Sequence, residues 1–157
     1  MVKILQVYDE FEKSYITRQI LECLPEWFGD KESLEEYVET VTEKPFFTAV
    51  EENNNAIGFL CLKLHNEYTA DLYVTGILKK YHRLGIGAQL VEAAESYLEE
   101  KNYKFFIVKT LGESSSDKSY AKTRKFYLSQ GFYPMEEIKE IWGEKNPCLI
   151  MIKNITK

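Results

Sequence analysis

Tyr81-His82-Arg83-Leu84-Gly85-Ile86-Gly87 stands between an apolar strand and a long amphipathic helix, and this junction decides how the rest of the chain is read. Upstream, Asp71-Leu72-Tyr73-Val74-Thr75-Gly76-Ile77-Leu78 is rich in residues that fit a pleated, half-buried surface. Downstream, a helix from about Gly85 to Lys101 carries Ile86, Leu90, Val91, Ala94 and Leu98 along one side. The first turn of a helix presents unpaired N–H groups at the positive end of its dipole, and glycine lets an anion approach the backbone. The junction therefore reads as an anion site for a phosphorylated ligand or, with nothing bound, as a tight structural turn. Two familiar phosphate patterns fail. No Gly-x4-Gly-Lys-Ser/Thr run occurs, and Leu90 stands where a dinucleotide fingerprint would need its third glycine.

Working outward, Val2 to Tyr8 alternates as a first strand, and Tyr15, Ile16, Ile20, Leu21 and Leu24 recur at helical spacing between Phe11 and Leu24. Pro25-Glu26-Trp27-Phe28-Gly29 breaks that helix, and Ser33 with Glu36 can form a capping box for a second one reaching about Thr42. Pro45 to Glu51 and Ala56 to His65 read as two strands joined by a turn at Asn53-Asn54-Asn55. Past the central helix, Lys104 to Thr110 is a short strand and Gly112 to Lys118 a polar loop. A last helix from about Ser119 to Gln130 stops at Gly131. Phe132 to Trp142 and Cys148 to Ile155 close the chain as strands around a turn at residues 143–147. The expected order is β-α-α-β-β-β-α-β-α-β-β. That is an α/β chain of the α+β type, with about seven strands in a mixed, mostly antiparallel sheet and four helices, one parallel step falling at the central β-α-β unit.

A length of 157 residues, 45% hydrophobic and 29% charged, fits one soluble domain over 1–157. No run approaches the ~18 apolar residues of a membrane span, and the first ten residues lack the long apolar segment of a signal peptide. Cys23, Cys61 and Cys148 are odd in number, far apart and set among apolar residues, which excludes a disulfide framework and zinc spacing and suggests small core residues in a reducing cytoplasm. The net charge of −5 disfavours nucleic acid. Residues 1–55 hold 13 acidic and 5 basic side chains, whereas residues 79–125 hold 10 basic and 6 acidic. This asymmetry reads either as an anionic ligand on one side and a neutral or cationic one on the other, or as solvated helix faces.

The element order and two motifs together resemble the GNAT acyltransferase superfamily over essentially the whole chain. Ile77 and His82-Arg83-Leu84-Gly85-Ile86-Gly87 occupy the places of an apolar strand residue and of that family's Gln/Arg-x-x-Gly-x-Gly/Ala, with His82 where Gln or Arg is usual. The second motif is Phe126-Tyr127-Leu128-Ser129-Gln130-Gly131-Phe132; nearby, Thr123 takes a usual alanine position and Tyr120 one where Asn is frequent. Val108-Lys109-Thr110-Leu111-Gly112, Tyr120-Ala121-Lys122-Thr123-Arg124 and Trp142 with Asn146-Pro147-Cys148 are similar to a bacterial subgroup of mostly unassigned substrate. The resemblance implies an N-acetyltransferase, an acyltransferase moving groups other than aminoacyl groups. It would use acetyl-CoA as co-substrate and no metal, with an amine attacking directly in a ternary complex. Acetyl-CoA and an amine acceptor would be its partners, with neither nucleic acid nor membrane, and the family admits a homodimer. The alternative is a non-catalytic acyl-CoA sensor with the same fold; a purely structural domain would leave the glycine turn idle.

Residue by residue, the resemblance places the pantetheine arm against Ile77 and Leu78, with the Leu78 N–H or a neighbour polarising the thioester carbonyl. It places the pyrophosphate on His82, Arg83, Leu84, Gly85, Ile86, Gly87 and Ala88, with Gly76 helping the strand bend away. Tyr127 becomes the general acid, since a phenol is protonated at neutral pH and can donate to a thiolate; the bland reading is a packing tyrosine. Asp71, six positions before Ile77, is the candidate base, or else simply begins a strand, and Tyr73 is a second candidate on the same face. His65 reads as a strand-end residue rather than a base. Trp27 and Phe28 suggest an apolar lid over the acceptor or a core pair, and Tyr73, Tyr120 and Arg124 complete the acceptor candidates. Arg124 would meet an acceptor carboxylate or the 3′-phosphate of CoA. No cysteine lies in an activated setting, which disfavours a covalent acyl-enzyme.

Overall fold

Residues 1–156 are described by a computed structural model, in which period-two and 3.6-residue patterns alternate along the chain. β1 is Lys3–Val7, α1 Glu10–Leu21, α2 Lys31–Thr40, β2 Phe46–Val50, β3 Ala56–Leu64, β4 Thr69–Ile77, α3 Ile86–Glu100, β5 Phe105–Leu111, α4 Ala121–Ser129, β6 Tyr133–Ile138, α5 Lys139–Trp142 and β7 Cys148–Asn154. Short 3-10 turns lie at Val41–Glu43, Lys79–Tyr81 and Lys118–Tyr120. One seven-stranded sheet runs in the order β1-β2-β3-β4-β5-β7-β6. Among the described residues only β4 and β5 pair in parallel; the other neighbours are antiparallel. The expected order therefore holds, with one correction. The last hairpin does not run as strand to Trp142: β6 ends at Ile138 and a one-turn helix follows, making five helices among the described residues rather than four.

Local chemistry explains the boundaries. α1 is capped by Asp9, whose carboxylate accepts from the Glu12 N–H at 2.8 Å. α2 begins earlier than the Ser33 cap expected: Asp30 caps it, accepting from the Glu32 N–H and from the Ser33 hydroxyl. Asn102 (φ 64) ends α3 and Gly131 (φ 92) ends α4, both in the left-handed region that Asn and Gly tolerate best.

Each face of the sheet is covered. Leu60, Leu62, Leu72 and Phe106 pack against Leu90, Ala94 and Leu98 of α3 and Tyr127 of α4. On the other face Phe46, Phe59, Cys61 and Val74 meet Ile20, Leu21 and Leu24 from α1 and its end, and Leu34 and Val38 of α2. Burying one such aliphatic or aromatic side chain contributes about 1.5–3 kcal/mol, so these two layers rather than surface ion pairs hold the sheet. Gly76 has a different role from the bend expected of it. A Cβ there would lie 3.1 Å from both Ile20 Cγ2 and Leu24 Cδ1, so glycine is what lets α1 sit down on β4. Cys61 and Cys148 are buried as expected, but Cys23 is exposed at the frayed end of α1. Among the described residues no helix is long and apolar enough to cross a membrane.

Candidate active site

β4 and β5 share hydrogen bonds only from Thr69 to Leu72 and from Phe105 to Val108; beyond those residues the two strands part. A bulge in β4 marks the same point. Leu72 pairs with Leu62 and Val74 with Cys61, which leaves Tyr73 as the extra residue, and a bulge bends its strand and breaks the ladder. The result is a wedge open at the carboxyl ends of two parallel strands, where a ligand can complete the sheet.

The open edge belongs to particular groups. In antiparallel pairing, successive residues point their N–H and C=O to opposite sides. The Leu78 N–H donates to the Ile57 carbonyl at 2.9 Å, and the Leu78 carbonyl accepts from Tyr81 at 2.8 Å. Leu78 is therefore spent on β3 and on the turn, contrary to the oxyanion role expected of it. Gly76 falls in the same phase, which leaves Thr75 and Ile77 with backbone groups facing the wedge. The Ile77 carbonyl accepts from His82 Nε2 at 2.6 Å, as that orientation requires.

At the mouth of the wedge, Arg83 (φ 63) and Gly85 (φ 79) are both left-handed, and successive N–H groups in such a turn form a concave anion nest at the start of α3. The two glycines divide their work. A Cβ at Gly85 would meet nothing within 4 Å, so its requirement is conformation and open approach. A Cβ at Gly87 would lie 2.9 Å from Phe126 Cζ, so this glycine's missing side chain serves the packing of α3 on α4. Arg83 and Leu84 are exposed, whereas Ile86 is buried in the core beneath the turn. Ala88 follows in the first turn of α3.

Asp71 lies at the closed end of the wedge and is 4% exposed. Its Oδ2 receives Lys109 Nζ of β5 and His65 Nε2 at the end of β3, each at 3.1 Å, while Oδ1 is buried without a partner. His65 is a strand-end residue as expected, and it also belongs to this carboxylate. Tyr127 of α4 is 5% exposed and packs its ring against Phe126 and Phe132. Burial pushes its phenol well above the ordinary value, and Tyr120, Asp71 and Tyr37 add to the rise.

The acceptor candidates fall into two groups. Phe28, Tyr37 and Tyr73 form a chain of edge contacts, with centroids 6.0 and 5.3 Å apart. Burial raises Tyr37 to about 12, and Tyr73 is also raised by burial while its hydroxyl shares a 2.7 Å hydrogen bond with Thr40. Trp27 instead turns its ring edge to His82 at 6.0 Å, and its carbonyl accepts from Tyr120 Oη at 3.2 Å. With the ion pair of Glu26 and Lys79, this loop latches onto the turn at the head of α3. Arg124 spends one guanidinium N–H on the Leu111 carbonyl at 2.7 Å, which ties α4 to the end of β5. Sequence reasoning quoted Lys109 and Thr110 within a motif but gave them no role, and it passed over Tyr37. The signal for Lys109 was available as a lone cation in the apolar run Phe105-Phe106-Ile107-Val108. The splayed strands, the nest and the unpartnered polar atoms suit an extended ligand with amides along its length and phosphates at one end, as coenzyme A has.

Comparison with known proteins agrees with this geometry. The model of the acetyltransferase (GNAT) family matches residues 4–132. No curated protein sequence is detectably similar to the chain. Among solved structures, a protein described as a GNAT-family acetyltransferase from Desulfovibrio desulfuricans superposes with a TM-score of 0.85 at 17% identity, over 99% of this chain and 100% of that one. The ribosomal-protein-S18-alanine N-acetyltransferase of Escherichia coli gives 0.76 at 17% identity, over 100% and 96%. A GNAT-family acetyltransferase from Elizabethkingia anophelis with acetyl-CoA bound gives 0.70 at 18% identity, over 98% and 97%. At such identities the likeness establishes the fold.

Proposed function

The chain belongs to the acetyltransferase (GNAT) family, and from that premise we propose that it transfers acetyl from acetyl-CoA to a primary amine of a small molecule or peptide by direct attack in a ternary complex. Acetyl-CoA supplies the acyl group already activated as a thioester. The protein must then hold that group, polarise its carbonyl, accept a proton from the amine and return one to the thiolate. The observation that carries the reading is the wedge. Two strands part where β4 bulges, leaving the Thr75 and Ile77 backbone unpaired with β5, and an anion nest sits at the mouth.

Each residue then has a task. The Thr75 and Ile77 N–H groups face the wedge, bind the arm and polarise the carbonyl. Residues 83–88 take the pyrophosphate through their backbone, and His82, Lys79 and Lys80 lie beside them. Tyr127, held protonated by burial, donates from Oη to the leaving sulfur. Asp71 accepts the amine's proton through a water at Oδ1, since that oxygen is enclosed and lacks a donor while Lys109 and His65 fix Oδ2. Trp27, Phe28, Tyr73 and Tyr120 wall the acceptor side, and Arg124 frames its far end.

The test is release of CoA thiol from acetyl-CoA across a broad amine panel. The reading expects turnover with at least one amine class and about a 100-fold loss in both Tyr127→Phe and Asp71→Asn, the scale of general acid–base catalysis. Tight acetyl-CoA binding with no amine acetylated would favour a sensor instead.

A further inference from the structure

Among the described residues, two buried side-chain polar atoms lack a hydrogen-bond partner, Asp71 Oδ1 and Thr110 Oγ1, and they lie on the two strands that flank the wedge. The proton transfer proposed above uses the first. Nothing yet described uses the second.

Thr110 is 3% exposed. It lies on β5 beyond Val108, the last residue paired with β4, and opposite Leu149 of β7. One edge of β5 is therefore committed to β7, while the other borders the open wedge at this residue. By strand alternation its side chain shares the face of Phe106 and Val108, the face on which Tyr127 packs. Next to it, the Leu111 carbonyl is already satisfied by Arg124, so α4 closes over this end of the strand and still leaves the hydroxyl unmatched.

A buried hydroxyl without a partner destabilises the free protein, and valine has the same shape, a higher strand preference and no such cost. The threonine is thus explained by a partner absent from the free chain. A hydroxyl both donates and accepts, which matches an amide, and it carries no charge to meet a phosphate. We propose that Thr110 positions the acetyl-CoA arm from the β5 side, its Oγ1 hydrogen-bonded to a pantetheine amide while Thr75 and Ile77 hold the arm from β4. This rests on the acyl-CoA reading above.

Titration calorimetry with acetyl-CoA, beside thermal unfolding of the free proteins, tests it on wild type, Thr110→Val and Thr110→Ser. Thr110→Val should melt no lower than wild type yet bind acetyl-CoA about five-fold more weakly, the range of one neutral hydrogen bond. Thr110→Ser, which keeps the hydroxyl, should bind within about two-fold of wild type. Equal affinity of wild type and Thr110→Val would overturn the assignment, as would a serine variant no better than the valine one. A lower midpoint for free Thr110→Val would also overturn it, because the hydroxyl would then have a partner without ligand. If wild type itself fails to bind acetyl-CoA, the acyl-CoA reading falls, and this inference with it.

Discussion

Tyr127 and Asp71 stand on α4 and β4, and their surroundings differ in kind. Tyr127 is enclosed by aromatic rings, so Tyr127→Phe keeps the contacts with Phe126 and Phe132 and removes only the hydroxyl. The variant should melt close to wild type while its thiol-release rate falls about 100-fold; unchanged turnover would remove Tyr127 from the chemistry. Asp71 is an anion between Lys109 and His65, so Asp71→Asn should lose stability as well as activity, because Lys109 is left half-buried without its counter-charge. A thermal midpoint unchanged from wild type would contradict that pairing. At this scale the sequence showed identities better than roles. The family resemblance brought out Tyr127 and Asp71, but the loss of Leu78 as a donor depends on which way one peptide plane faces. Gly87 likewise shows its packing role only when Phe126, distant in sequence, is placed beside it.

The elements meet through close approaches that only the assembled sheet reveals. α1 rests on β4 at Gly76, where an added methyl would crowd Ile20, Leu21 and Leu24 at once. Gly76→Ala should therefore lower stability in urea by about 1–3 kcal/mol, the usual cost of overpacking. An unchanged midpoint would mean that α1 does not sit where the structure has it. Most elements were legible because their periodicity is strong: α3 repeats Ile86, Leu90, Ala94 and Leu98 at helical spacing, and β3 and β4 are long apolar runs. The end of β6 was not legible. Ile138 through Trp142 is apolar enough to extend a strand, yet residues 139–142 turn as a helix before Gly143 (φ 96) reverses the chain. The bulge at Tyr73 was equally hidden, since it shows only as a slip between two pairing registers.

Across the whole molecule, the acidic first third builds the α1–α2 side and the basic middle builds the turn at the mouth of the wedge, with the pair of Glu26 and Lys79 bridging them. Four tyrosines around the wedge, Tyr37, Tyr73, Tyr120 and Tyr127, are all shifted upward by burial, with Tyr37 at about 12. In the unfolded chain these phenols titrate near ~10. Above that pH the folded state holds more protons than the unfolded one, so their stabilising contribution is intact below about pH 10 and is lost as pH rises toward 12 and beyond. Denaturant midpoints should accordingly fall between about pH 10 and 12, and a flat profile there would contradict enclosed phenols.

The central claim is that acetyl-CoA completes the sheet by occupying the gap between β4 and β5. Backbone hydrogen exchange, followed peptide by peptide with and without acetyl-CoA, tests it most directly. The account predicts slowed exchange at Thr75 and Ile77 and through residues 83–88 on adding acetyl-CoA, with ATP slowing the turn at most. No protection along β4, or protection confined to another face of the sheet, would contradict it.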